Sequence, residues 1–422
     1  MRRFICNSAD VQKSAFIWNT CASMLNAFQT VFILILISRI DPILDAGIFT
    51  IAFAIANLIM TVSRYGIRQF QASDVHEKYS FQTYRNWRAV TTLASIIVLC
   101  AYVGYCYGTG NYSYYKSIVV ILIGFTKIID AFEDVLHGML QQKNHLDIAG
   151  KVLAVRMLIY IIAFLILYYI FQNLIITAAG TFVISLLLFL YLNHIALENF
   201  SSEKKEQDIK NIFRLGKECF PLFLSSSLVM YIGNAPKYAI DTILNSEEQA
   251  CFNYIFMPVF VIGLMSQFVY QPIIHKIAII WNDGRIQELI RIILKQAALI
   301  LVLTLFAITG GYFLGIPVLS LIYGVNLAGY KNELVILLIA GGMLAFVNFF
   351  QMIITVTRYQ NWLIWGYSIG SAIFVLLGKY IVNQAGLLGI SIFYALIVSG
   401  IAVLFAGMTV FIIIRKDQKL RR

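Results

Sequence analysis

The chain is 422 residues long, 60% hydrophobic and only 13% charged, with a mean hydropathy of +0.80; such a composition excludes an ordinary soluble domain. Its 32 Lys and Arg exceed its 21 Asp and Glu, for a net charge of +11. The surplus sits in the gaps between apolar runs, which argues for contact with anionic lipid headgroups rather than nucleic acid. Six cysteines (6, 21, 100, 106, 219 and 251) show no Cys-x-x-Cys pair and no zinc-like His spacing, so neither a metal site nor a disulfide framework is expected.

Stretches of about 20 apolar residues, the length that crosses a bilayer core, recur twelve times, at 14–38, 43–63, 89–108, 117–138, 152–171, 174–197, 218–240, 249–274, 296–316, 333–357, 362–382 and 388–414. With the N-terminus placed in the cytoplasm, 25 of the 32 Lys and Arg fall in inside segments. Only Arg39, Lys116, Lys331 and Lys379 fall outside, and Lys127, Arg156 and Lys237 lie within spans. That asymmetry predicts an all-α, twelve-helix membrane protein with both termini cytoplasmic. Polar residues 1–13 precede a first span too long for a signal core and without a small-residue cleavage site, so this span is expected to remain as a helix.

In the first span Asn19, Ser23, Asn26 and Thr30 share one face, a pattern that suits either a polar pathway or plain helix–helix hydrogen bonding. Arg39 closes that span; it is a candidate cation for substrate, or an interfacial arginine. The fourth span is the most polar. Lys127, Asp130, Asp134, His137 and Gln141 fall within an arc of about 80°, with Glu133 beside it. An ionisable group at a span centre costs about 2.5–3.5 kcal/mol on insertion scales, so this face cannot meet lipid. It lines a water-filled path or forms a structural network in which Lys127 neutralises Asp130 or Asp134.

The charged stretch from Glu198 through Asp208 to Lys217 reads as a linker. It divides the chain into an N-terminal six-helix lobe (1–200), a cytoplasmic linker (201–217) and a C-terminal six-helix lobe (218–422). A faint likeness between 45–53 and 248–256 agrees with two parallel repeats. In the seventh span Gly233 and Pro236 are expected to interrupt the helix beside Asn234, Lys237 and Tyr238. Asp241 follows one turn later, and the plainer alternative is that Lys237 snorkels outward and pairs with it. No loop on either side has room for a catalytic domain, so the helices must perform the function.

Three blocks then carry a resemblance. Arg64-Tyr-Gly-Ile-Arg68-Gln69-Phe-Gln71-Ala-Ser-Asp74, followed by Lys78-Tyr-Ser-Phe81, resembles a cytoplasmic hallmark of the Wzx-type polysaccharide flippases. These bacterial proteins belong to the multidrug/oligosaccharidyl-lipid/polysaccharide exporter superfamily. Phe132-Glu-Asp-Val-Leu-His-Gly-Met-Leu-Gln-Gln-Lys143, leading to Leu146-Asp-Ile-Ala-Gly-Lys151, is similar to the family's fourth-to-fifth helix junction. Tyr231-Ile-Gly-Asn-Ala-Pro-Lys-Tyr-Ala-Ile-Asp241, then Ile255-Phe-Met-Pro258, looks like its seventh and eighth helices. The three occur in the family's order over about two-thirds of the chain; spans nine to twelve add only length and hydropathy.

The resemblance implies a non-enzymatic flippase in the bacterial cytoplasmic (inner) membrane. It would move polyprenyl-pyrophosphate-linked oligosaccharide repeat units outward for O-antigen, lipopolysaccharide or capsule synthesis, by alternating access between two lobes. Lys127, Arg156, Lys237 and Arg39 would then face the pyrophosphate, and Asn19, Asn26, Asn234, Tyr231 and Tyr238 the sugar. Asp130, Glu133, Asp134 and Asp241 would form a charge network or bind a counter-moving cation. Arg64, Arg68, Gln69 and Asp74 would either gate the cytoplasmic face or simply set topology. No cofactor is implied, and coupling to H+, Na+ or the membrane potential stays open. The implied partners are the lipid-linked oligosaccharide, the bilayer, and the polysaccharide polymerase and glycosyltransferases of the same route. Two other readings stand beside this one. A cation-coupled multidrug exporter would use the acidic fourth span; a membrane polysaccharide polymerase would need a sizeable outer loop, which this chain lacks.

Overall fold

The computed structural model describes residues 1–40, 44–74, 78–198, 209–270 and 273–421. Every regular element among them is helical. Inside a bilayer a helix satisfies its own backbone groups, so an apolar run has little alternative. In chain order these are α1 (Arg2–Cys6), α2 (Val11–Ile40), α3 (Leu44–Arg64), α4 (Ile67–Ser73), α5 (Phe81–Gly108), α6 (Tyr114–Gln142), α7 (Leu146–Phe171) and α8 (Leu174–Leu197). They are followed by α9 (Ile209–Asp241), α10 (Ser246–Tyr270), α11 (Ile274–Asn282), α12 (Ile286–Gly310), α13 (Ile316–Tyr323) and α14 (Lys331–Val356). The final run, Asn361–Arg421, breaks at Gly386, where φ is 55° and ψ is −143°, into α15 (361–385) and α16 (387–421).

Eight of these runs are long and apolar enough to cross a membrane, the last one holding both α15 and α16. The 29-residue α6, 33-residue α9 and 25-residue α10 are also of spanning length. Twelve spans therefore follow among the described residues, each at its expected position. The short α4 and α11 fill two of the inside segments.

The chain forms two compact units, Met1–Met230 and Tyr231–Arg422. In the first, α3 packs on α6 and α5, α2 on α7, and α6 on α5, α7 and α8. Helix α3 is enclosed on nearly all sides because Ala46, Gly47, Ala52, Ala54 and Ala56 let its neighbours approach closely. In the second unit α14 is central, touching α10, α12 and the 361–421 run, and Gly341 admits Val259 of α10 to its surface. The boundary at 230/231 lies inside α9, whereas residues 201–208 of the expected linker fall outside the described residues.

One expectation is corrected. Helix α9 runs from Ile209 to Asp241 without a break at Gly233 or Pro236. Proline removes a single amide donor, and in an apolar setting the remaining backbone bonds have no water to exchange with, so the helix persists. The irregularities lie elsewhere, in a wider π-type turn at Gly311–Gly315 between α12 and α13, and at Gly386.

A sharp elbow joins α3 to α4, with Tyr65 (φ 49°) and Gly66 (φ 66°) both left-handed. A methyl at Gly66 would sit 2.6 Å from Leu222 Cβ of α9, while Tyr65 stacks on Phe223 at 4.4 Å. Gly66→Ala should therefore lower stability by at least the ~1–2 kcal/mol of a left-handed alanine. Gly233→Ala, whose Cβ would meet nothing within 4 Å, should be neutral or gain up to ~1 kcal/mol. Thermal unfolding of the purified protein in detergent checks both.

Candidate functional site

The polar face of α6 is buried in the first unit and is neutralised residue by residue. Lys127, 1% exposed, donates to Asp130 Oδ2 at 3.1 Å and to Gln29 Oε1 of α2 at 3.2 Å, and it lies 4.9 Å from the Phe53 ring. Arg156 of α7, also 1% exposed, bridges two carboxylates, reaching Asp130 Oδ1 at 2.6 Å and Glu133 Oε2 at 2.7 Å. Asn193 of α8 donates to the other Glu133 oxygen at 2.7 Å. Asp134 takes Arg88 of α5 on one oxygen and Arg68 of α4 on the other, each at 3.2 Å. Burying a charge this deeply is tolerable only with such partners.

The Arg64–Asp74 motif becomes α4 and its flanks, held against α6. Arg68 also donates through Nε to Gln141 Oε1 at 3.2 Å. The Asp74 carboxylate accepts the Tyr84 hydroxyl at 2.8 Å and the amides of Lys78 and Tyr79. Gln142 donates to the Asp74 carbonyl at 2.9 Å. In the loop beyond, Lys78 pairs with Glu218 at 2.7 Å, and this hydrogen bond raises the exposed Lys78 ammonium above its ordinary value. Gln69 is exposed.

Arg64, at the end of α3, differs from the rest. It is half-buried, and no described carboxylate pairs with it; its buried Nε has no partner. It is nonetheless near enough to act electrostatically on Asp134, Arg88 and Lys127. Around the three carboxylates of α6 the unit thus gathers five cations: Arg64, Arg68, Arg88, Lys127 and Arg156.

Other expected residues separate from this network. Asn19 bonds the carbonyls of Ala15 and Leu146, tying α2 to α7. Asn26 accepts from Gln29. Arg39 is exposed at the last turn of α2. Asn234, Lys237, Tyr238 and Asp241 belong to the second unit. Lys237 does not pair with Asp241; its Nζ lies over the rings of Phe256 and Phe260 of α10. Tyr238 stacks on Tyr231 at 5.7 Å.

Three participants were not foreseen. Gln29 lies within the length of the polar stripe of span one, between Asn26 and Thr30 but off its face. Arg88 is 0% exposed but sits at the boundary of span three, where it counted toward the inside charge. The stripe Arg88, Thr91, Ser95, all buried, was the available signal. Asn193 shares α8 with Thr177, Thr181, Ser185 and His194, and nothing in the sequence set it apart from them. Among the described residues no group of three His, Cys, Asp or Glu could hold a metal ion.

A family model described as polysaccharide biosynthesis protein matches residues 13–278. No curated protein matches the chain. Among solved structures, the lipid II flippase MurJ in an inward closed conformation aligns at a TM-score of 0.74 and 13% identity, covering 95% of this chain and 90% of that one. The bent form of the Vibrio cholerae MATE transporter VcmN gives 0.61 at 11% identity, covering 97% and 98%. A MOP superfamily transporter from Pyrococcus furiosus gives 0.53 at 13%, covering 99% and 98%. At these identities the likeness establishes a shared fold.

Removing Arg156 leaves Glu133 without a cation and Asp130 with Lys127 alone, whereas removing Lys127 leaves both carboxylates bridged by Arg156. Arg156→Met should therefore cost about 3–5 kcal/mol, the range for breaking a buried pair, and Lys127→Met clearly less. Adding Glu133→Gln to Arg156→Met should recover part of the loss. Folded yield and unfolding temperature in detergent read this order.

Proposed function

The chain belongs to the polysaccharide biosynthesis protein family, and from that premise we propose that it is a flippase for lipid-linked saccharide, not an enzyme. It carries polyprenyl-pyrophosphate-linked oligosaccharide repeat units from the inner to the outer face of a bacterial cytoplasmic membrane, for O-antigen or capsule assembly, by alternating access. The observation that carries this reading is the positive excess of the first unit, five cations about three carboxylates, built within helices that span a membrane.

The chemistry follows from which of those cations remain reachable. Lys127, Arg156 and Arg88 are sealed and ion-paired, so they set a field and hold α2, α3, α5, α6 and α7 in register. Arg64 and Arg68 keep open faces, the Arg68 side chain being 26% exposed. They are the groups to meet a diphosphate, for which the forked guanidinium offers two parallel donors. The lipid tail stays in the bilayer. With the cytoplasm negative, each phosphate charge moved outward gains about 2.3 kcal/mol per 100 mV, so the membrane potential favours export without a cofactor. A carrier of cationic drugs would need an unpaired carboxylate in its cavity, and Asp130, Glu133 and Asp134 are each taken.

In a strain lacking the protein, single lipid-linked repeat units should accumulate on the cytoplasmic face, sealed from reagents added outside. Units exposed on the outer face would instead point to a polymerase. Arg64→Ala should lower surface polysaccharide at least tenfold at unchanged membrane abundance, and Arg64→Lys should retain a measurable fraction. Full export by Arg64→Ala would remove this residue from the substrate path.

A further inference from the structure

The second unit solves the problem of buried charge differently. Lys237, 5% exposed, is the one Lys or Arg buried there among the described residues, and no Asp or Glu is buried with it. Its Nζ lies 5.3 Å from the Phe256 ring centre and 5.5 Å from that of Phe260. Among the described residues no carboxylate pairs with it. Ring faces attract a cation but replace only part of its lost hydration.

Those rings belong to a stripe on α10. Gln249, Asn253, Phe256 and Phe260 recur at intervals of four, three and four residues, so they share one face. Asn253 is 0% exposed and Gln249 2%, and neither the nitrogen nor the oxygen of either amide has a partner. Tyr394 of α16, also 0% exposed, brings its ring to 5.5 Å from Phe256, and its hydroxyl is likewise unpartnered. The Lys237 ammonium and the Tyr394 ring thus both approach the Phe256 ring, and the Asn253 amide lies one helical turn away on the same face of α10; all three can donate. Buried polar groups are normally satisfied, so three donors together call for a common acceptor.

Size and sign identify it. Lys237, Asn253, Phe256 and Tyr394 are each at most 5% exposed, and only Phe260, at the edge of the stripe, is 42% exposed; donors enclosed this tightly leave no room for a sugar or a diphosphate, so the guest is of ionic dimensions. The charge to be balanced is positive. We propose that the second unit binds a small monovalent anion of the chloride class, held by Lys237 Nζ with the Asn253 amide and the Tyr394 hydroxyl donating. Gln249, a turn further along the stripe, stands at the edge of the site. This anion takes the part that Asp130 and Glu133 play for Arg156 in the first unit. The inference stands independently of what the protein transports.

A ligand that binds only the folded state raises stability with its concentration, whereas water or a deprotonated lysine would leave the protein indifferent to the anion supplied. The purified full-length protein is unfolded thermally at neutral pH in sodium chloride, bromide or gluconate at constant ionic strength. Unfolding temperature should rise with chloride and with bromide but not with the bulky gluconate. Lys237→Gln and Asn253→Leu should each weaken the halide dependence at least tenfold in apparent affinity, while Lys237→Arg keeps it. Bromide anomalous diffraction should place the ion beside residue 237. Equal stability in all three salts would overturn the proposal, as would an undiminished halide effect in Lys237→Gln. If Lys237→Gln does not fold, Asn253→Leu and the bromide position decide alone.

Discussion

Charge placed inside a low-dielectric bundle has to be answered where it stands, and the first unit is organised around that requirement. Three carboxylates on one face of α6 would be prohibitive in lipid. Each is met by a side chain from another helix: Arg156 joins Asp130 to Glu133, Asn193 completes Glu133, Arg68 and Arg88 share Asp134, and Lys127, itself held by Gln29 of α2, settles the other side of Asp130. The partners come from α2, α4, α5, α7 and α8, so the network fixes the rotation of nearly every helix in the unit about its own axis. Such pairs add little net stability compared with good apolar packing. What they supply is uniqueness of arrangement, because any other register leaves a charge stranded.

The same requirement explains the division of labour among the cations. Lys127, Arg88 and Arg156 have carboxylate partners and are enclosed, Arg68 is paired with Asp134 yet partly open, and Arg64, which has no carboxylate partner among the described residues, keeps contact with the surface. Among the described residues the second unit has a buried cation and no buried acid, and Lys237 of α9 and Tyr394 of α16 approach a single aromatic ring of α10. The two units therefore share an architecture of spanning helices but not an electrostatic design.

Much of this was legible in the residues. Apolar length and loop charge located all twelve spans, because a helix's length and its flanking cations are constrained by the bilayer itself. Helical periodicity placed Lys127, Asp130, Asp134, His137 and Gln141 on one face, and the structure buries Lys127, Asp130, Asp134 and His137 together. Periodicity along one helix says nothing of which neighbour faces it, so Arg88, Gln29 and Asn193 went unseen. Helix breaking was misjudged for a related reason. Proline at 236 was weighed by its missing donor, while the surrounding packing, which decides whether the helix bends, is invisible in a linear text.

The bridging position of Arg156 also bears on biogenesis. Translation delivers helices in order, and by the time α6 has been made, Arg68 and Arg88 already exist to meet Asp134. Asp130 then has only Lys127, and Glu133 has no cation at all until α7 emerges with Arg156. Helix α6 is thus electrostatically incomplete until its successor in the chain is present, and the salt bridge that orders the finished protein ties the completion of one helix to the synthesis of the next.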